Sequence, residues 1–170
     1  AEQAVAAYSR AFAEDPGNTQ AREELERLAA IQDSWSALAS LYQQATEKPL
    51  DGSLAHDLLL RLGAIYSSEL QDNERAVAAY RQSLEIEPSD SVALDALQSL
   101  YSTDGQWNEL LEVYRQKADQ SNDAEERQNL FFRMADLWEE MLGNAEEAIG
   151  CYGEVLAQDH TNLKGLQAQA

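Results

Sequence analysis

The sequence predicts an all-α chain assembled from repeated helices, and three observations carry that prediction. The stretch AVAAYSRAFAEDP from Ala4 recurs as AVAAYRQSLEIEP from Ala76 and as AIGCYGEVLAQDH from Ala148, each copy starting 72 residues after the last. Self-similarity at a fixed period marks a repeat architecture. Three Pro and eight Gly are few among 170 residues, whereas the abundant Ala, Leu, Glu and Gln lose little on entering a helix. Apolar residues also return at helical spacing along the whole chain.

Taken in order, Val5, Tyr8 and Phe12 share one face of a first helix over 2–14, with Ala4, Ala7 and Ala11 beside them, and Asp15-Pro16-Gly17 stops it. Ala21, Leu25, Leu28 and Ala29 stripe a second helix over 18–31 behind the cap region Asn18-Thr19. Gln32-Asp33 turns into a third helix marked by Trp35, Leu38, Leu41 and Tyr42, which Lys48-Pro49 and Asp51-Gly52-Ser53 end. The fourth runs from about Leu54 to Leu70 on the stripe Leu58, Leu59, Leu62, Ile65 and Tyr66.

From Asp72 the cycle restarts. Helix five is the copy ending at Pro88, with Val77, Tyr80 and Leu84 inward, and helix six spans Val92 to Thr103 with Ala93, Leu97, Leu100 and Tyr101. Trp107, Leu110, Val113 and Tyr114 repeat the third helix. Ser121-Asn122-Asp123 breaks the chain, and Asp123 with Glu126 has capping-box spacing. Helix eight carries Leu130, Phe131, Met134, Leu137 and Trp138. Gly143-Asn144 leads to helix nine with Ile149, Tyr152 and Leu156, and Leu163 and Leu166 begin a tenth.

These residues resemble the tetratricopeptide repeat family, whose unit is a helical hairpin of about 34 residues. The resemblance is carried by Leu59-x-x-Leu62-Gly63-x-x-Tyr66, Ala76-x-x-x-Tyr80 and Pro88, and again by Phe131, Met134, Ala135, Trp138, Ala148 and Tyr152, with His160 in the proline place. Between them lies a divergent hairpin with Leu94, Leu97, Tyr101, Gly105, Trp107, Leu110 and Tyr114, matched earlier by Arg22, Leu25, Trp35, Leu38 and Tyr42. The resemblance covers the chain and implies a right-handed α-solenoid of antiparallel helical hairpins with nine to ten helices, read as a fragment of a longer array. Its expected parts are 1–17, the second helix of a truncated repeat; 18–51, a divergent repeat; 52–89, a repeat; 90–122, a divergent repeat; 123–161, a repeat; and 162–170, the start of a truncated one. Gly63 and Ala135 beside Ala76 and Ala148 let helices approach, whereas Gln98 and Glu26 opposite Leu110 and Leu38 hold them apart, so tight and loose hairpins should alternate.

Thirty-one acidic against 12 basic residues give a net charge of −19, which repels phosphate backbones and anionic lipid. Either this charge keeps a long exposed surface in solution or it meets a basic partner. Cys151, the single cysteine, allows no internal disulfide and aligns with Ala7 and Ala79 as a small core residue. No apolar run approaches the roughly 18 residues that span a bilayer. A soluble protein is expected, cytoplasmic rather than periplasmic, and bacterial by analogy of its turns. His56 and His160 read as exposed polar residues with no nucleophile beside them. Glu139-Glu140 and Glu146-Glu147 read as solvated faces, because adjacent helical positions point about 100° apart. No phosphate loop or zinc spacing is present. No enzyme, cofactor or metal is expected, and Tyr8, Tyr80, Tyr152, Trp35 and Trp107 are assigned to the core.

What remains is surface. The resemblance implies that the first helix of each hairpin lines a concave groove where peptides or partner helices dock. Its residues would be Asp57, Leu60, Ala64 and Ser67, then Val92, Asp95, Ser99 and Ser102, then Asn129, Phe132, Asp136 and Glu139, with Gln20, Glu23 and Arg27 from the earlier divergent helix. That groove is acidic and mildly apolar, suited to a basic or apolar protein segment with Leu60 and Phe132 as anchors, unless Phe132 packs on its neighbouring helix. One family subtype grips carboxylate-ended tails through Lys, Arg and Asn; here Leu60, Ala64, Asp95, Ser99, Phe132 and Asp136 stand at those places, so carboxylate would meet carboxylate. The expected function is therefore a noncatalytic protein-interaction scaffold. The alternative is a structural spacer in a larger complex, self-associating through truncated ends where Val5, Tyr8 and Phe12 would be exposed.

Overall fold

A computed structural model describes residues 2–158. His160 and the tenth segment expected over 163–170 lie outside the described residues. Within them the chain forms α1 (Glu2–Glu14), α2 (Thr19–Gln32), α3 (Trp35–Thr46), α4 (Gly52–Ala64), α5 (Asn73–Ile86), α6 (Ser91–Asp104), α7 (Trp107–Gln120), α8 (Ala124–Asp136) and α9 (Ala145–Gln158). The fold is all-α, with no strand among the described residues. It divides into two compact units, one of residues 1–93 holding α1 to α5, the other opening inside α6 and holding α7 to α9.

Local chemistry places the helix starts where polar side chains can take up unpaired N–H groups. Asn18 accepts from the Ala21 N–H at 3.0 Å, Asp72 from Arg75 at 3.1 Å, and Asp123 from Glu125 at 2.9 Å. The capping box expected at Asp123 closes differently, because the Glu126 carboxylate accepts from the Ser121 hydroxyl at 2.5 Å.

Helix ends alternate with the 72-residue beat. The first helices of the divergent hairpins, α2 and α6, run 14 residues each. They stop at a left-handed residue, Asp33 (φ 51°) or Gly105 (φ 68°), and the next N–H reaches back five residues, Ser34 to Ala29 at 3.0 Å and Gln106 to Tyr101 at 2.9 Å. By contrast α4 and α8 have 13 residues and continue through a five-residue π-helical turn, Ile65–Glu69 and Leu137–Met141. Those turns end at Gln71 (φ 54°) and Gly143 (φ 64°), where Asp72 donates to Tyr66 at 2.8 Å and Asn144 to Trp138 at 2.7 Å. One added turn is what separates the two hairpin types.

In the first unit α4 and α5 pack extensively, whereas α2 and α3 touch more sparsely. A Cβ on Gly63 would stand 2.7–2.9 Å from atoms of the Tyr80 ring, so only glycine lets that ring lie on α4. Across α2 and α3 the polar Glu26 is used rather than tolerated: its carboxylate accepts from the Tyr42 hydroxyl at 2.9 Å. Phe12 is fully buried, its ring 5.2 Å from that of Tyr42. The apolar strip expected to lie open on α1 is therefore closed at that residue, while Val5 and Tyr8 are half-buried.

Among the aromatics assigned to the core, Tyr80 is buried, but Tyr8, Tyr152, Trp35 and Trp107 are half-buried. The two tryptophans open α3 and α7, and a ring on the first turn overhangs the helix end. Tyr42, Tyr66, Tyr101 and Tyr114 fill the interior instead.

Candidate partner-binding surfaces

The expected docking positions meet different fates in each unit. On α4, Asp57 is held by the chain's own cations: it accepts from the Arg22 guanidinium and from Arg61 Nε at 3.1 Å. Arg61 also donates to Glu26 at 2.9 Å. Arg22, a charge where the repeat pattern wants an apolar residue, is 9% exposed and finds its counter-charge on α4. Burial of the Tyr42 phenol, followed by the field of the Glu26 carboxylate and their hydrogen bond, raises its pKa far above the ordinary value. Leu60 and Ser67 are half-buried and Ala64 is exposed. Gln20, Glu23 and Arg27 are exposed on α2, with Arg27 donating to Glu24 at 2.8 Å.

Val92 is 59% exposed at the start of α6. In the second unit Asp95 is paired with Lys117 of α7 at 2.6 Å, and the same ammonium reaches Gln98 at 2.8 Å, giving the polar Gln98 a purpose like that of Glu26. Ser99 and Ser102 are exposed. On α8 and the π turn that continues it, Asn129, Asp136 and Glu139 are exposed while Phe132 is half-buried, its ring 6.0 Å from Tyr152 at 54°. Phe132 thus does pack on its neighbour. Burial, and then the fields of the Asp136 and Glu139 carboxylates, raises the pKa of the Tyr152 phenol. Tyr152 is half-buried where its counterpart Tyr80 is buried, and Ala135 stands at the position of Gly63.

A groove of about 820 Å³ opens on another side of the second unit, between α7 and α9. Leu111, Met134, Trp138 and Cys151 give it an apolar floor, and Glu112, Arg115, Asp119, Glu147 and Glu154 stand along its walls. None of the expected docking residues lines it, since Met134 and Trp138 point away from the face of α8 that carries Phe132, Asp136 and Glu139. Burial pushes the Cys151 thiol up, Arg115 opposes this, and Glu147 and Glu154 add to it. The groove's signal in the sequence was a departure between repeat copies: Glu147, Gly150 and Glu154 stand where Arg75, Ala78 and Gln82 do 72 residues earlier.

His56 is not exposed as expected. Its side chain is 17% accessible, with Nε2 3.5 Å from the Asp90 carboxylate, whose other oxygen caps α6 through the Ala93 N–H at 2.7 Å. Among the described residues no group of three or more His, Cys, Asp or Glu is placed to hold a metal ion. No helix among them is long and apolar enough to cross a membrane.

Antiparallel helical hairpins in tandem, with small residues at the close crossings, define an all-α helical-repeat protein. Tetratricopeptide repeat models match residues 56–90 and 93–128, and these two stretches are tetratricopeptide repeats. It is similar in fold to the crystal structure of YrrB, described as a TPR protein with an unusual peptide-binding site, at 16% identity and a TM-score of 0.54 over 99% of this chain and 82% of that one. No curated protein matches the chain.

Proposed function

We propose that the chain is a noncatalytic protein-interaction scaffold that binds a peptide or partner helix of basic or apolar character along the first helices of its hairpins, in a cytoplasmic setting. The observation that carries this reading is the face of α8 and its π turn, where exposed Asn129, Asp136 and Glu139 stand three, four and seven residues from the half-buried Phe132 and so share its side of the helix. Carboxylates around an aromatic ring suit a segment that brings Lys or Arg beside an apolar side chain. Asp57 and Asp95 contribute less, since Arg22, Arg61 and Lys117 already meet them. The peptide-binding site described for YrrB is a fold-level analogy in support.

The test is a selection from a random peptide library displayed on phage, followed by titration of the selected peptides against the chain and an Asp136→Lys/Glu139→Lys variant. Loss of binding with an unchanged thermal melt supports the α8 face; undiminished binding of every peptide removes it. A second reading, a self-associating spacer, is favoured by the exposure of Met141 (51%) and Ile149 (49%). Sedimentation velocity separates the two, since a monomer across a wide concentration range speaks against self-association.

A further inference from the structure

The α7–α9 groove carries its own control, because the same positions occur 72 residues earlier on α3, α4 and α5. In that earlier copy the Tyr66 hydroxyl donates to Gln43 Oε1 at 3.0 Å, tying the end of α4 to α3, and the Arg75 guanidinium lies 5.7 Å over the Tyr66 ring. In the later copy Trp138 replaces Tyr66 and has no hydroxyl to close the gap, while Arg115 replaces Gln43 and lies 5.3 Å over the Phe131 ring. The bridge across the surface is gone. What remains is an open, apolar-floored groove.

Charge changes with it. The earlier positions carry Glu47, Lys48 and Arg75, a net of +1; the groove carries Arg115 with Glu112, Asp119, Glu147 and Glu154, a net of −3. The reversal belongs to this surface and is not simply its share of the chain's overall −19. Gly150 adds an independent observation. It replaces Ala6 and Ala78 of the other copies, and a Cβ there would meet no atom within 4 Å, so nothing inside the protein requires glycine. A glycine inside a helix costs about 1 kcal/mol relative to alanine, and it bares the backbone to close approach from outside.

We propose that the α7–α9 groove is a second docking surface, distinct from the α8 face of the proposed function, and that it takes a basic segment of another protein. A large apolar side chain of that segment enters against Met134 and Trp138 beside Gly150, and flanking Lys or Arg side chains meet Glu147 and Glu154. The apolar floor supplies affinity, the adaptable Met134 thioether accommodates the entering side chain, and the carboxylates steer approach and set register. A volume of about 820 Å³ lies in the range of preformed ligand sites.

The test uses the same phage-displayed library, with selected peptides measured by fluorescence anisotropy. Glu147→Arg/Glu154→Gln installs the residues that α5 carries at those positions; Glu74→Arg/Glu85→Gln makes the same charge change on exposed α5 positions outside the groove. The expected result is a class of peptides joining a large apolar residue to Lys or Arg, weakened about tenfold or more by the groove variant and unchanged by the matched control. Equal binding to the parent and the groove variant, or equal loss in both variants, overturns the inference. If the groove variant does not melt cooperatively, Gly150→Leu fills the groove from an open helix position and gives the same readout. Peptides weakened only by Asp136→Lys/Glu139→Lys overturn this inference and leave the proposed function standing; no selected peptide at all sinks both.

Discussion

Gly63 and Gly150 each place in a helix a residue that costs about 1 kcal/mol against alanine, yet they meet opposite surroundings. The Tyr80 ring leaves no room for a Cβ at 63, whereas 150 faces open space. Gly63→Ala should destabilise the protein by about 1–2 kcal/mol, overpacking outweighing the gain in helix propensity, and Gly150→Ala should stabilise it by about 0.5–1 kcal/mol. Urea unfolding of both variants checks the contrast. Asp57→Ala should cost about 1–3 kcal/mol in the same assay, because it leaves Arg22 buried with a donor unmet. The need for glycine at 63 was legible in the sequence as a small residue at a helix crossing. The fate of Asp57 was not read, although its signal existed: Arg22 with Asp57 and Glu26 with Arg61 are pairs of opposite sign at one common spacing.

Helices were the most legible level, because a 3.6-residue apolar period, with Pro16 and Pro88 as stops, leaves few alternatives. What the period does not announce is how a helix ends. The π turns absorb an extra turn without changing the apolar stripe, and in the first copy the left-handed residue that closes the turn is Gln71 rather than a glycine. Its amide recovers part of the strain by donating to the Ser67 and Ser68 carbonyls at 3.1 and 2.8 Å. At the matching Gly143 no side chain exists to do so. Gly143→Ala should therefore lower stability by about 1 kcal/mol through the left-handed backbone alone, while Ala145→Gly, two residues further at the start of α9, changes little; thermal melts of the pair measure the difference.

For the molecule as a whole, buried acids with raised pKa values weigh on stability at alkaline pH. The Tyr42 and Tyr80 phenols and the Cys151 thiol all have folded pKa values raised above their ordinary values of 10.0 and 9.0, chiefly by burial. Each group's stabilisation is complete below its unfolded pKa and is lost as pH rises towards the folded one. The midpoint of thermal unfolding should fall progressively above about pH 9, and Tyr80→Phe should blunt the alkaline part of that fall. A second whole-chain property is the divergence between copies. Two repeats of one 72-residue plan keep the same apolar stripes, but their surfaces have diverged, with Tyr66 and Arg75 becoming Trp138 and Glu147. The repeat pattern constrains packing positions and leaves these surface positions free to differ, so the divergence stands out only between one copy and the other.

The central claim is that the repeats are scaffold and that the surface of the later copy recruits a protein partner. It is tested most directly by a backbone amide NMR titration of the chain with a peptide taken from the library. Saturable shifts concentrated on α7, α8 and α9 are expected, with the matching positions of α3, α4 and α5 unmoved. Shifts of equal size in both copies, or none at saturating peptide, would contradict it.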